Sequence, residues 1–206
     1  MITLIDYGSG NIHAIANIYK RLSIKYQLTA DPNVLKEAKK LILPGVGDFD
    51  ETMKAFKQLG IKNLLNELVV EKQVPILGVC VGMQILGKSS EEGAEEGFGW
   101  IDGQVKKFDI EKLQTKPYLP HMGWNTVQPQ KESQLFENII SENGFYFLHS
   151  YYFECKNNDD ILATTEYGIE FSSAINHKNV YGFQFHPEKS HQNGVEIFRN
   201  FANLAC

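Results

Sequence analysis

Cys80 stands at the centre of Gly78-Val79-Cys80-Val81-Gly82, and His186-Pro187-Glu188 follows much later in the chain. Together they offer a thiol nucleophile, an imidazole base and a carboxylate to orient that base, the set required for acyl transfer through a covalent intermediate. In a G-x-nucleophile-x-G pattern the flanking glycines accommodate a sharp turn that lifts the central side chain above a sheet edge. A helix over 82–87 would point unpaired N–H groups and the positive end of its dipole at Cys80, favouring thiolate over thiol and helping to hold an oxyanion. The plain alternative, a small buried hydrophobe in a tight turn, describes most lone cysteines. It fits Cys155 and Cys206, which lack flanking glycines and are read as structural or incidental.

His186 comes at the end of the run Tyr181-Gly182-Phe183-Gln184-Phe185, and Pro187 stiffens the backbone between base and carboxylate. His186, Glu188 and His191 could ligate a metal by residue type, but their spacing fits no established zinc pattern. No metal and no cofactor are expected. His13, His149 and His177 carry no catalytic signal of their own.

The elements that must position these groups read as α/β. Thr3-Leu4-Ile5-Asp6-Tyr7 is a strand; Gly8-Ser9-Gly10-Asn11 is a tight turn; Ile12, Ile15, Ala16 and Tyr19 recur at helical spacing. The glycine pair lacks the third glycine of a dinucleotide fingerprint, and no Walker lysine follows. Lys40-Leu41-Ile42-Leu43 is a second strand leading to Pro44-Gly45-Val46-Gly47. Helices over 49–59, closed by Gly60, and over 61–72 come next, then the apolar strand over 74–79, which has the look of a parallel strand buried on both faces. This alternation predicts right-handed βαβ units and a mostly parallel central sheet with helices on both faces. The second half, with aromatic and β-branched runs at 118–128, 144–154, 161–167, 170–177 and 180–185, adds strands, several of them antiparallel. A helix from Gly194 closes the chain. No Pro/Ser-rich linker separates the halves, so residues 1–206 are expected to form one domain.

The 206 residues carry a net charge of −5 and no long Lys/Arg run, which argues against a nucleic-acid partner. The 43% hydrophobic content supports a real core. No export signal or membrane-length apolar stretch is visible, and the three cysteines suggest reduced thiols, so a cytoplasmic location is expected.

With Pro44-Gly45-Val46-Gly47, Cys80-Val81-Gly82-Met83-Gln84 and His186-Pro187-Glu188 in this order, the chain resembles the class I, triad-type glutamine amidotransferases. Four further segments resemble the branch of that family serving histidine biosynthesis: Asp6-Tyr7-Gly8-Ser9-Gly10-Asn11, Ser89-Ser90-Glu91-Glu92-Gly93, Pro120-His121-Met122-Gly123-Trp124-Asn125 and the run from Gln184 to Ser190. The resemblance implies that Cys80 attacks the side-chain amide of L-glutamine, His186 moves protons and Glu188 holds His186. It further implies that the N–H groups of Val46 and Val81 receive the oxyanion, the first after a peptide reorientation beside Gly45 or Gly47. Gln84, Glu92 and the main chain of Ser150 and Tyr151 would bind glutamine. Trp124, Asn125 and Lys189 would face a (β/α)8-barrel cyclase subunit that accepts ammonia, in a heterodimer. The rivals are a paralogue supplying ammonia for a cell-surface sugar, a catalytically silent scaffold, and a cysteine peptidase or esterase.

Overall fold

The computed structural model describes residues 1–109 and 119–205. The chain opens with β1 (Ile2–Ile5), α1 (Ile12–Arg21), β2 (Tyr26–Thr29), α2 (Pro32–Leu35) and β3 (Leu41–Leu43). Next come α3 (Phe49–Gln58), α4 (Lys62–Asn66), a π turn over Glu67–Glu71, β4 (Ile76–Val79) and α5 (Val81–Gln84). The second half holds β5 (Ser89–Ser90), β6 (Gly103–Lys107), β7 (His121–Asn125), β8 (Gln128–Pro129), β9 (Phe145–His149) and β10 (Tyr151–Cys155). It ends with β11 (Ile161–Tyr167), β12 (Ile169–His177), β13 (Val180–Phe183) and α6 (His191–Asn203).

Among the described residues, eleven strands form one sheet in the order β2-β1-β3-β4-β13-β12-β10-β6-β5, with β11 paired to β12 and β8 to β11. The first five in that order are mutually parallel, and β12 turns back antiparallel on β13. A separate antiparallel pair, β7–β9, stands beside the main sheet. The predicted mostly parallel sheet with an antiparallel region is what the chain forms.

Both faces of the central parallel strands β1, β3 and β4 are covered, which is why these strands are almost wholly apolar. Ile2, Leu4, Ile42, Leu77 and Val79 share one cluster with Ile15 and Tyr19 of α1 and Ile197, Phe198 and Phe201 of α6. Ile5, Leu41, Leu43 and Ile76 share the other with Phe49, Met53 and Phe56 of α3 and Leu65 of α4. The helical residues recur at three- and four-residue intervals, each helix burying one stripe. Asp48 caps α3 by accepting from the Glu51 N–H at 3.1 Å, and Gly60, at φ +66°, follows its end.

Because β3, β4 and β13 lie side by side and point the same way, the segments that follow them emerge at one end of the sheet. Those segments are 44–47, 80–84 and 184–188. Three expectations need correction. The helix after Cys80 does not reach 87: it stops at Gln84, because the carbonyls of Ile85, Leu86 and Gly87 accept from Phe98, Ile101 and Gly99 instead of continuing the helical ladder. The expected helix over 61–72 widens midway, where Lys72 N–H reaches Glu67 O across five residues. The run 144–154 breaks at Ser150 into β9 and β10, which join different sheets. In the run 118–128, Tyr118 lies outside the described residues, as does Cys206. Among the described residues no helix is long and apolar enough to cross a membrane.

Candidate active site

Cys80 occupies the abrupt step from β4 into α5, at φ +56° and ψ −115°. A non-glycine residue in such a region costs about 1–3 kcal/mol and persists only where its surroundings enforce it. Here the Cys80 N–H donates to Phe183 O at 2.7 Å, tying the turn to β13. The flanking glycines are required by close backbone approach: a Cβ on Gly78 would lie 2.3 Å from Gly82 O, and one on Gly82 would lie 2.1 Å from Leu43 O.

His186 follows β13, and its backbone N–H donates to Tyr146 O at 2.8 Å. Its Nδ1 is 2.9 Å from Glu188 Oε1, with both side chains almost fully buried. Burial disfavours the imidazolium, but hydrogen bonds and charge attraction to Cys80 and Glu188 outweigh it and push the ring up to about 10. The structure therefore brings thiol, imidazole and carboxylate into one interacting group. Glu188 Oε2 is buried without a hydrogen-bond partner, leaving the carboxylate directed at the ring through Oε1.

The segment 44–47 lies alongside the elbow. A Cβ on Gly45 would meet Gly82 N at 2.2 Å and Val79 O at 2.9 Å, so only glycine lets this backbone pass so close. Tyr7 OH donates to Pro44 O at 2.6 Å and Ser9 Oγ to Val46 O at 2.7 Å, bracing the loop from the β1 turn. Gly47 has φ +114° with open space around its Cα, and Val46 is 45% exposed. Val46, Gly47 and Val81 line a cavity of about 260 Å³ together with Cys80 and His186.

Gln84, Glu92, Ser150 and Tyr151 line the same cavity. Gln84 Nε2 lies 3.3 Å from Tyr151 O and 3.0 Å from Gln184 Oε1, and Gln184 Nε2 faces Cys80 Sγ at 3.8 Å. Gln184, fully buried, was not singled out from the sequence. The signal was available: it stands two residues before His186, on the strand repeat that puts alternate side chains on one face. His149, dismissed on sequence, also lines the cavity. Glu92 has a structural duty as well, since its Oε2 accepts from the N–H of Phe49, the first residue of α3, at 2.9 Å. Burial, opposed by that bond and helped by Asp48 and Asp50, holds its carboxyl above the usual carboxylate range.

The residues assigned to a partner surface lie on and beside the antiparallel β7–β9 pair. Trp124 is 47% exposed and stacks on His191 with ring centres 5.0 Å apart, and Met122 beside it is 65% exposed. The Lys189 ammonium sits 5.6 Å from the centre of the Tyr146 ring. Asn125 differs: its amide is engaged internally, donating to Glu166 O at 2.9 Å and accepting from Thr126 N–H at 2.8 Å.

A family model for glutamine amidotransferase class-I matches residues 3–204. The chain belongs to the class-I glutamine amidotransferase family. Among curated relatives, the protein named imidazole glycerol phosphate synthase subunit HisH of Leptospira borgpetersenii is 49% identical over 204 residues, 99% of this chain and 100% of the relative. The protein of the same name from Bdellovibrio bacteriovorus is 48% identical over 205 residues, again 99% of this chain and 100% of the relative. A solved glutamine amidotransferase superposes with a TM-score of 0.73 at 17% identity, covering 98% of this chain and 99% of its own, and thus shares the fold. Another, from Thermotoga maritima, gives a TM-score of 0.65 at 18% identity, covering 96% of this chain and 81% of its own.

In this amidotransferase, Glu188→Gln removes the negative partner of His186 while keeping its size. The ring will titrate lower, and kcat is expected to fall roughly 10²- to 10⁴-fold, as when a buried orienting carboxylate is made an amide in other triads. Stability should report the same change. The folded ring binds its proton more tightly than the unfolded one, so its contribution is complete below pH 6.5 and disappears as pH rises through about 10. With Glu188 neutralised, that loss sets in at lower pH, which urea unfolding across this range will read.

Proposed function

We propose that this amidotransferase is the glutaminase subunit of imidazole glycerol phosphate synthase, a single-domain cytoplasmic protein that hydrolyses L-glutamine and hands ammonia to a (β/α)8-barrel cyclase subunit. The product side of that reaction is imidazole glycerol phosphate and AICAR, in histidine biosynthesis. The observation that carries this reading is full-length identity of 49% with a curated relative of that name.

The geometry supplies a mechanism. Cys80 Sγ attacks the amide carbon of glutamine, and the carbonyl electrons move onto oxygen, which the N–H groups of Val81 and, after a peptide reorientation beside Gly45 or Gly47, Val46 would receive. Each such donor contributes about 3–4 kcal/mol to the transition state. His186, held by Glu188, gives its proton to the departing nitrogen as the C–N bond breaks, leaving a thioester and ammonia. Water then loses a proton to His186 and attacks the thioester; the C–S bond breaks, glutamate leaves and the thiol is restored. Gln84, Glu92 and the main chain of Ser150 and Tyr151 orient the substrate. Ammonia released into bulk water at neutral pH becomes ammonium and is lost as a nucleophile, so a covered exit into a bound synthase follows from the chemistry. Trp124 and Lys189 face that partner, with Asn125, its amide engaged internally, bracing the strand that carries Trp124.

Co-purification with the (β/α)8-barrel subunit, followed by measurement of glutamate release with and without the cyclase substrate, tests the reading. A stable heterodimer whose glutamate release rises with cyclase substrate is expected. An uncomplexed chain, or a complex that amidates only a different acceptor, would overturn it.

A further inference from the structure

Gln184 is a fully buried primary amide standing between two equally buried phenylalanines, Phe183 and Phe185. A buried amide is costly unless its hydrogen bonds are met, so its partners decide its role. Their direction is fixed from the far end. The carbonyl oxygen of Tyr151 can only accept, so the Gln84 atom 3.3 Å from it is the amide nitrogen. That Nε2 carries a second hydrogen, which Gln184 Oε1 accepts at 3.0 Å. Gln184 then presents its own Nε2 to Cys80 Sγ, 3.8 Å away. The two amides form a line from a carbonyl on the cavity wall to the sulfur, and the line ends in an N–H donor.

Neither amide can turn over without loss. Reversing Gln84 sets its oxygen against Tyr151 O, and reversing Gln184 sets its nitrogen against the nitrogen of Gln84. Both side chains are buried, and the Gln184 backbone is tied to β12 by its N–H, which donates to Ser173 O at 2.9 Å. The other neutral contact of the sulfur is of the opposite kind: Leu148 O, at 3.9 Å, can accept an S–H but offers a thiolate nothing. The Gln184 contact is long for a neutral thiol, and a charged acceptor shortens such a bond and roughly doubles its strength. Of these two neighbours, the amide N–H is the one that favours the charged sulfur.

We propose that Gln184 is a catalytic residue, which donates its side-chain N–H to the Cys80 thiolate while Gln84 fixes its orientation. The proposal deepens the reading above and rests on it, because that reading makes Cys80 the nucleophile. The thiol proton passes to His186, sulfur keeps the electron pair, and the Gln184 N–H holds the charge. On attack the pair enters the new C–S bond and the donor loses its charged acceptor. When water attacks the thioester and the C–S bond breaks, the pair returns to sulfur, and the same N–H receives the departing thiolate. Gln184 acts wherever the sulfur is charged.

Iodoacetamide alkylates thiolate rather than thiol, so its rate at Cys80, located by peptide mass mapping, reads the charged sulfur without glutamine or a partner. Gln184→Met keeps the length of the side chain and removes both amide groups. Alkylation of this variant at pH 7 is expected to slow about tenfold, and its pH profile to move up by about one unit, for the loss of one hydrogen bond to a charged acceptor. Gln184→Glu sets a carboxylate beside the sulfur and should slow alkylation further. An unchanged rate and pH profile in folded Gln184→Met would overturn the proposal. Independently of how the variants fold, the Gln184 side-chain amide protons of the unmodified chain should move downfield along the pH profile of alkylation, and this movement should vanish in Cys80→Ala. Protons that stay in place, or that move equally without the sulfur, refute the donor. Should Cys80→Ala still release glutamate, the reading of Cys80 as nucleophile is what fails, and alkylation still decides whether Gln184 holds the charge.

Discussion

Cys80→Ala will reduce glutamine hydrolysis by about 10⁴-fold or more, while synthesis by the partner from added ammonium salts proceeds at its usual rate. The first outcome follows because, among the described residues, no other thiol is placed to replace the nucleophile: Cys155 lies outside the cavity-lining residues, and burial pushes it up to about 12. The second follows because the fold does not depend on the sulfur. Its contacts to Leu148 O at 3.9 Å and Gln184 Nε2 at 3.8 Å are long, and alanine fits wherever cysteine's backbone does. Glutamate release and ammonia-dependent product formation, measured on the same complex, separate the two steps. Persistent glutamate release would remove Cys80 from the mechanism.

Gly82→Ala should be a severely damaging single-methyl change in the site. The added Cβ would meet Leu43 O at 2.1 Å, and that carbonyl belongs to β3, hydrogen-bonded on both sides in the sheet centre. Neither backbone can yield cheaply, so a loss of about 3 kcal/mol is expected. For a chain of this size that lowers Tm by about 6–12 °C. The same displacement moves the Val81 N–H away from where charge develops, which costs about 10²-fold in kcat if that amide is an oxyanion donor. Gly60→Ala is the control: φ is +66°, but no atom lies within 4 Å of the new Cβ, so only left-handed strain of about 1–2 kcal/mol applies. Thermal unfolding and glutamate release of the two variants, side by side, check both statements.

The legible parts of this protein were those whose physics is local. Apolar runs of 4–6 residues ending in glycine gave β1, β3 and β4, and helical spacing gave α1, α3 and α6. Cys80 and His186 stood out because each ends a strand run in residues that strands do not otherwise need. What escaped were features fixed by distant partners. β2, with every residue half-buried, has no alternation to read. The end of α5 depends on 98–101 capturing its carbonyls, and the break at Ser150 depends on where β6 and β7 lie. Gln184, His121 and His149 look like chance polar residues in aromatic strands until the fold supplies Cys80, Asn125 and Tyr151 O as their partners.

The position of β13 in the sheet has a consequence for how the protein is made. It is the final strand in the chain, yet it inserts beside β4, near the middle, and its last residue receives the Cys80 N–H. During translation the thiol leaves the ribosome long before the imidazole that would activate it. On the proposed mechanism, a chain that ends before residue 186 lacks the base assigned to Cys80 and is expected to hydrolyse no glutamine. Competence arrives only with closure of the sheet.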